Sequence, residues 1–246
     1  MKKRYKSDNP LWWEEWLDFL RYDMDWDPYC VLAVLAYKIS KTGEYIAKHN
    51  TIVGAEKVKE ETDEVAGLLT QCIKHGCDDT LSFPPQCLPG LTERKRKEWL
   101  KILSEDADYD YACILNVLIE RLKRFRKATK RPADVAGQIK ETEDRLKRVM
   151  EDEYFHKLTK KHPLPPIKFT IDEKGRRVSE HNEKDAAIIR PVVKAAREAR
   201  IEDLRLALKS LCGIFKWSGA RPNAKAQKSL ERACKLILSR IFGWWD

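Results

Sequence analysis

The chain has 246 residues, 48 Lys plus Arg against 39 Asp plus Glu, a formal charge of +9 and 43% hydrophobic residues. That composition fits a globular protein and excludes collagen-like and wholly disordered chains. No apolar run approaches the roughly 18 residues that a membrane-spanning helix needs, so no transmembrane segment is expected.

At the start, Met1-Lys2-Lys3-Arg4 runs through Pro10-Leu11-Trp12-Trp13 straight into Glu14 and Glu15, without the apolar core of a signal peptide. Secretion is therefore not expected. The seven cysteines, an odd number, are read as reduced thiols rather than a disulfide framework. Four of them, Cys30, Cys113, Cys212 and Cys234, sit in apolar helical runs, where Cys acts as a small hydrophobe.

Residues 16–38 read WLDFLRYDMDWDPYCVLAVLAYK and residues 99–121 read WLKILSEDADYDYACILNVLIER. They align without a gap at an offset of 83, with 10 of 23 positions identical and Lys38 matched by Arg121. This is an internal duplication. Each copy runs on into an amphipathic stretch. Val58, Thr62, Val65, Leu69 and Cys72 step by 4,3,4,3, and Val135, Ile139, Thr142, Leu146 and Val149 do the same, which marks one face of a helix. Each unit is predicted to be a short Trp-bearing helix, an Asp-rich turn, a long helix, a loop and a returning helix, folded as a helical hairpin.

The predicted organisation is mainly α. Residues 1–75 form the first hairpin unit, 76–92 a Pro/Gly loop, and 93–160 the duplicate unit. Residues 161–184 form a linker with a small β-hairpin near 167–178, where β-formers flank Asp172-Glu173-Lys174-Gly175. Residues 185–246 supply a basic helical pair. In its last helix Leu230, Ala233, Cys234, Ile237, Leu238 and Ile241 share one face, opposite Lys225, Lys228, Arg232 and Lys235.

Asp25-Trp26-Asp27 before a Tyr- and Leu-rich helix, the acidic-Tyr turn Glu151-Asp152-Glu153-Tyr154 and the terminal Trp244-Trp245-Asp246 resemble a family of uncharacterised tailed-bacteriophage proteins. Those proteins carry one hairpin followed by a hydrophilic segment and a helical end in Trp-Trp-Asp. This chain carries two hairpins, with Tyr109 for the Trp and Tyr111 for Pro28 in the second. The resemblance implies a phage origin and a location in the host cytoplasm. It carries over no catalytic residues.

Asp23, Asp25 and Asp27, with Asp106, Asp108 and Asp110, alternate carboxylates as hard-cation sites do. An EF-hand would need Gly at its sixth and Glu at its twelfth position, where Pro28 and Val34, or Tyr111 and Val117, stand. Two readings remain. Asp27 and Asp110 cap their helices, with Pro28 at the first helical position; or the turns face each other and hold Mg²⁺ or Mn²⁺ for phosphoryl transfer. Cys72, His75, Cys77 and Cys87 offer four soft ligands for Zn²⁺, in a spacing that matches no standard pattern, beside the reading of a helix that ends near Gly76. No phosphate-binding Gly loop and no nucleophile-elbow motif occurs in the sequence.

Residues 121–131, RLKRFRKATKR, hold seven basic and no acidic residues, and residues 190–246 hold +8 of the +9. Arg121, Lys123, Arg124, Arg126 and Lys127, with Lys225, Lys228, Arg232 and Lys235, are candidate phosphate contacts. The plain alternative for such runs is a solvated helix face. The expectation is a non-enzymatic protein that binds a nucleotide or nucleic acid, such as a signalling nucleotide that a phage gains by sequestering in countering host defence. The alternatives are docking on a host or virion protein, alone or as an oligomer, and the metal-dependent phosphoryl-transfer enzyme. Burial of at least one of Trp244 and Trp245 is expected.

Overall fold

The computed structural model describes residues 28–49, 52–76, 111–128, 133–151, 153–161, 163–165, 168–171, 177–180, 183–216 and 224–244. The fold is mainly α. Among the described residues there are seven helices: α1 Pro28–His49, α2 Ala55–Gly76, α3 Tyr111–Ala128, α4 Ala133–Glu151, α5 Glu153–Lys161, α6 Glu183–Lys216 and α7 Ala224–Arg240. Strands β1 Lys168–Ile171 and β2 Arg177–Glu180 pair antiparallel, Lys168 opposite Glu180 and Ile171 opposite Arg177.

Local chemistry accounts for these boundaries. Pro28 opens α1, where its fixed φ suits the first turn and its missing N–H costs nothing. Gly54, at a φ of 82°, turns the chain into α2, and its carbonyl accepts the first helical hydrogen bond from the Val58 N–H at 3.1 Å. Every residue of both 4,3,4,3 stripes is buried. Lys48 and His49 close α1, where a positive charge meets the negative end of the helix dipole.

The helices close into a ring. α1 packs along α2, α3 along α4, and α1 against α3; α7 then covers α2, α6 covers α4, and α6 meets α7. One contiguous core runs through all six. The duplication is therefore matched in space: each hairpin takes one C-terminal helix as its cover. The start of α1 is marked by Tyr29, whose ring lies 5.9 Å from that of Phe215. The start of α3 is marked by Tyr111, stacked on Arg200. Fifteen residues of α6 separate those contacts, roughly 22 Å. The first turns of α1 and α3 thus meet different parts of α6. α5 packs along α6, whose own share of the core cluster begins at Leu204.

Repeat-matched positions share fates. Lys38 (2% exposed) and Arg121 (0%) are both buried. So are Thr62 and Thr142, whose hydroxyls donate to the carbonyls of Lys59 at 2.9 Å and Gln138 at 2.8 Å. The hairpins differ in how they close. In the first, Gly43 lies against α2 so tightly that a Cβ there would fall inside the van der Waals radius of Thr62 Oγ1. In the second, the matched position is Arg126, which reaches Glu143 in a fork of two bonds, Nε to Oε1 at 2.8 Å and a terminal nitrogen to Oε2 at 3.1 Å.

Gly43→Ala is expected to cost about 1–3 kcal/mol in urea unfolding, the usual penalty for overpacking. Thr62→Ala in the same chain is expected to restore part of that loss by removing the opposing hydroxyl and methyl.

Candidate functional site

The nine basic residues expected to meet phosphate separate into two groups. Arg121, Lys123, Arg124, Arg126 and Lys127 lie on α3, between α1 and α4, and Lys225, Lys228, Arg232 and Lys235 lie on α7, between α2 and α6. The ring thus holds them on different sides rather than in one pocket.

Most of the α3 group is engaged internally. Arg121 is fully buried, which corrects its place among the phosphate contacts. It lies on the face that carries Leu115, Leu118 and Leu122 into the core, so a ligand on the outer surface cannot reach it. Lys123 pairs with Glu120 and Arg126 with Glu143. Lys127 is exposed and has no partner among the described residues.

The α7 group is more open. Arg232 pairs with Glu64 at 2.8 Å. Lys225, Lys228 and Lys235 are exposed, and among the described residues no hydrogen bond or ion pair holds them. At about 100° per residue, the four cations fall within an arc of about 80°, and Lys225 to Lys235 spans roughly 15 Å along the axis. The opposite face buries Ala226, Leu230, Ala233, Cys234 and Ile237.

An acidic patch on α2 holds α7 in this orientation. Arg240 reaches Glu64 at 3.2 Å and Glu61 at 3.8 Å. Trp244 is fully buried, and its indole N–H donates to Glu61 Oε2 at 3.1 Å. The expected burial of a terminal Trp is met at this residue; Trp245 lies outside the described residues.

The other half of the ring reverses the signs. Asp203 of α6 accepts from Arg145 at 2.5 Å, from Arg148 at 2.9 Å and from the Tyr154 hydroxyl. Burial works to raise the Asp203 pKa, but Tyr154, Arg148 and Arg145 outweigh it and hold the carboxyl below its ordinary range. Burial and the neighbouring carboxylate push the Tyr154 phenol up. Nearby, Arg200 is clamped between the rings of Tyr111 at 4.6 Å and Phe242 at 4.5 Å, and its Nε donates to the Val149 carbonyl at 3.2 Å.

Between α4 and α6 lies a groove of about 260 Å³ lined by Glu141, Thr142, Arg145, Leu206, Lys209 and Ser210. The Thr142 and Ser210 hydroxyls are 2.7 Å apart, so the described partner of Ser210 is a hydroxyl and not a base. Glu141 and Asp203 hold Arg145.

The metal candidates are mostly out of view. Asp23, Asp25, Asp27, Asp106, Asp108 and Asp110, and also Cys77 and Cys87, lie outside the described residues. Cys72 is buried in the core, whereas His75 is exposed. Among the described residues, no group of three or more His, Cys, Asp or Glu is placed to hold an ion. No described helix is long and apolar enough to cross a membrane.

The Asp203 cluster was not anticipated from sequence. Its signal is an acid directly before the apolar stripe Leu204, Ala207, Leu208 and Leu211. Because the folded pKa is depressed, Asp203 contributes stability above its unfolded value of about 3.9 and loses it as pH falls through the folded value. Asp203→Asn is expected to lose roughly 1.5–3 kcal/mol near neutrality. The variant should also show a shallower loss of stability below about pH 4 than the parent, measured by urea unfolding at each pH.

Comparison of the chain with protein-family models, curated proteins and solved structures gives no match.

Proposed function

We propose that this is a non-enzymatic binding protein that contacts nucleic acid through the outer face of α7. The observation that supports this reading is the row Lys225, Lys228 and Lys235, exposed and without partners among the described residues, on a helix held against α2 by Glu61, Glu64 and the buried Trp244. A long flexible cation with no internal partner keeps its charge available to an external anion. The row is linear, spanning roughly 15 Å. Duplex DNA carries one charge per about 1.7 Å of axis, so it offers several phosphates over that length. A single nucleotide holds its phosphates within one or two lysine lengths and meets only part of the row. As part of the same proposal, the setting is the cytoplasm of an infected host, a reading supported by the resemblance to tailed-phage proteins.

The test is fluorescence anisotropy with labelled single- and double-stranded 20-mers over a range of salt. Binding is expected to weaken with salt. Lys225→Gln/Lys228→Gln/Lys235→Gln is expected to reduce the magnitude of the log–log salt slope by about 2–3 and the low-salt affinity by tenfold or more. The unfolding midpoint should barely move, because surface changes of this kind are usually worth under about 0.5 kcal/mol. Unchanged affinity and slope in the triple variant would overturn the reading. A mononucleotide bound as tightly as the polymer would transfer it to the small-ligand alternative. Recovery of a stoichiometric protein partner without nucleic acid would favour docking on that protein.

A further inference from the structure

Cys212 on α6 and Cys234 on α7 face each other across the C-terminal pair, with their sulfurs 3.6 Å apart. Cys234 is 7% exposed and belongs to the core; Cys212 is half-buried at its edge. A disulfide bond is about 2.05 Å long, so the sulfurs need approach by only about 1.5 Å. The two residues are 22 positions apart in sequence and on different helices, so a bond between them would tie α6, which covers the second hairpin, to α7, which covers the first. Cys30 and Cys113 are buried on α1 and α3. Cys72 of α2 lies near enough to act electrostatically on Cys234 and is the natural competitor for it.

We propose that Cys212 and Cys234 form an oxidisable dithiol, converted by a peroxide-class oxidant into a disulfide that cross-links α6 to α7. Cys212, the more accessible sulfur, reacts first as its thiolate, having released its proton to solvent. It attacks one oxygen of hydrogen peroxide; the O–O bond breaks, and the departing hydroxide takes a proton from solvent and becomes water. Cys212 is now a sulfenic acid. The Cys234 sulfur then attacks the Cys212 sulfur, the S–S bond forms as the S–O bond breaks, and the released hydroxide leaves as water with the Cys234 proton. Two thiols and one peroxide yield one disulfide and two waters, a two-electron oxidation of sulfur balanced by reduction of the O–O bond. The facing sulfur and burial both push the Cys234 thiol up, so Cys212 rather than Cys234 supplies the first thiolate, and the proton that Cys234 still carries goes to the departing hydroxide in the second step. This inference does not depend on the nucleic-acid reading, because its outcome is read on the protein alone.

The test treats the full chain with a few equivalents of hydrogen peroxide, blocks remaining thiols with iodoacetamide, and maps peptides without reduction. The expected result is a Cys212–Cys234 cross-linked peptide, two thiols lost and a mass decrease of about 2 Da. The unfolding midpoint should rise by roughly 5–10 °C and return on adding dithiothreitol. Cys72→Ser is expected to keep the link. Cys234→Ser is expected to stop at oxidised Cys212, and Cys212→Ser, at the half-buried position, should also abolish the link if the core variant fails to fold. Recovery of both residues as alkylated thiols while other cysteines oxidise would overturn the proposal. So would a link from Cys72 to Cys234 in place of the expected one.

Discussion

From Pro28 through Ala36 every residue of α1 is buried. A helix that is apolar on all sides cannot lie on a surface; it must be walled in. The chain supplies one wall directly, because α2 returns beside α1 after a short turn at Gly54. The duplicate supplies another in α3, which buries Ile114, Leu115, Leu118 and Leu122. Placing α1 against α3 satisfies both copies at once. The returning helices are left with apolar surface that the hairpins alone do not cover, and α6 and α7 complete the ring over it.

Apolar burial holds that ring together, and charge helps decide its arrangement. Burying a side chain such as Leu230 or Ile237 stabilises by about 1.5–3 kcal/mol, whereas a partly exposed ion pair such as Arg232–Glu64 contributes about 0–1 kcal/mol. The pairs nonetheless carry opposite polarity in the two halves. Glu61 and Glu64 of α2 receive basic residues of α7; Arg145 and Arg148 of α4 receive Asp203 of α6. Exchanging the two C-terminal helices would set Arg232 and Arg240 beside Arg145 and Arg148, and Asp203 beside Glu61 and Glu64. Repulsion of that kind discriminates between arrangements whose apolar faces are similar.

The same pairs change the meaning of the basic C-terminal third. Arg232 and Arg240 face α2, Arg200 is clamped between Tyr111 and Phe242, and Arg205 pairs with Glu202. These cations stabilise the chain itself. Among the described residues, the exposed cations of this third without an ion pair are Lys225, Lys228 and Lys235 on α7, Lys209 at the rim of the groove between α4 and α6, and Arg190 and Arg197 on α6.

The sequence by itself determined the helical class, the duplication and the inward faces. Period and identity are local properties, and each stripe, such as Val58, Thr62, Val65, Leu69 and Cys72, needs only the 3.6-residue turn to become a face. It also marked Lys38 and Arg121 as equivalents, although not as buried. The tertiary structure decided which charges are internal. Arg121 and Lys127 stand in one basic run, yet one is in the core and the other in solvent, because the neighbours α1 and α4 cover one side of α3. Asp203 finds Arg145, Arg148 and Tyr154 some 50 residues away in sequence, and Trp244 finds Glu61 across 183 positions. No local pattern encodes such pairings: they arise when apolar faces choose their partners and bring along whatever charges those faces carry.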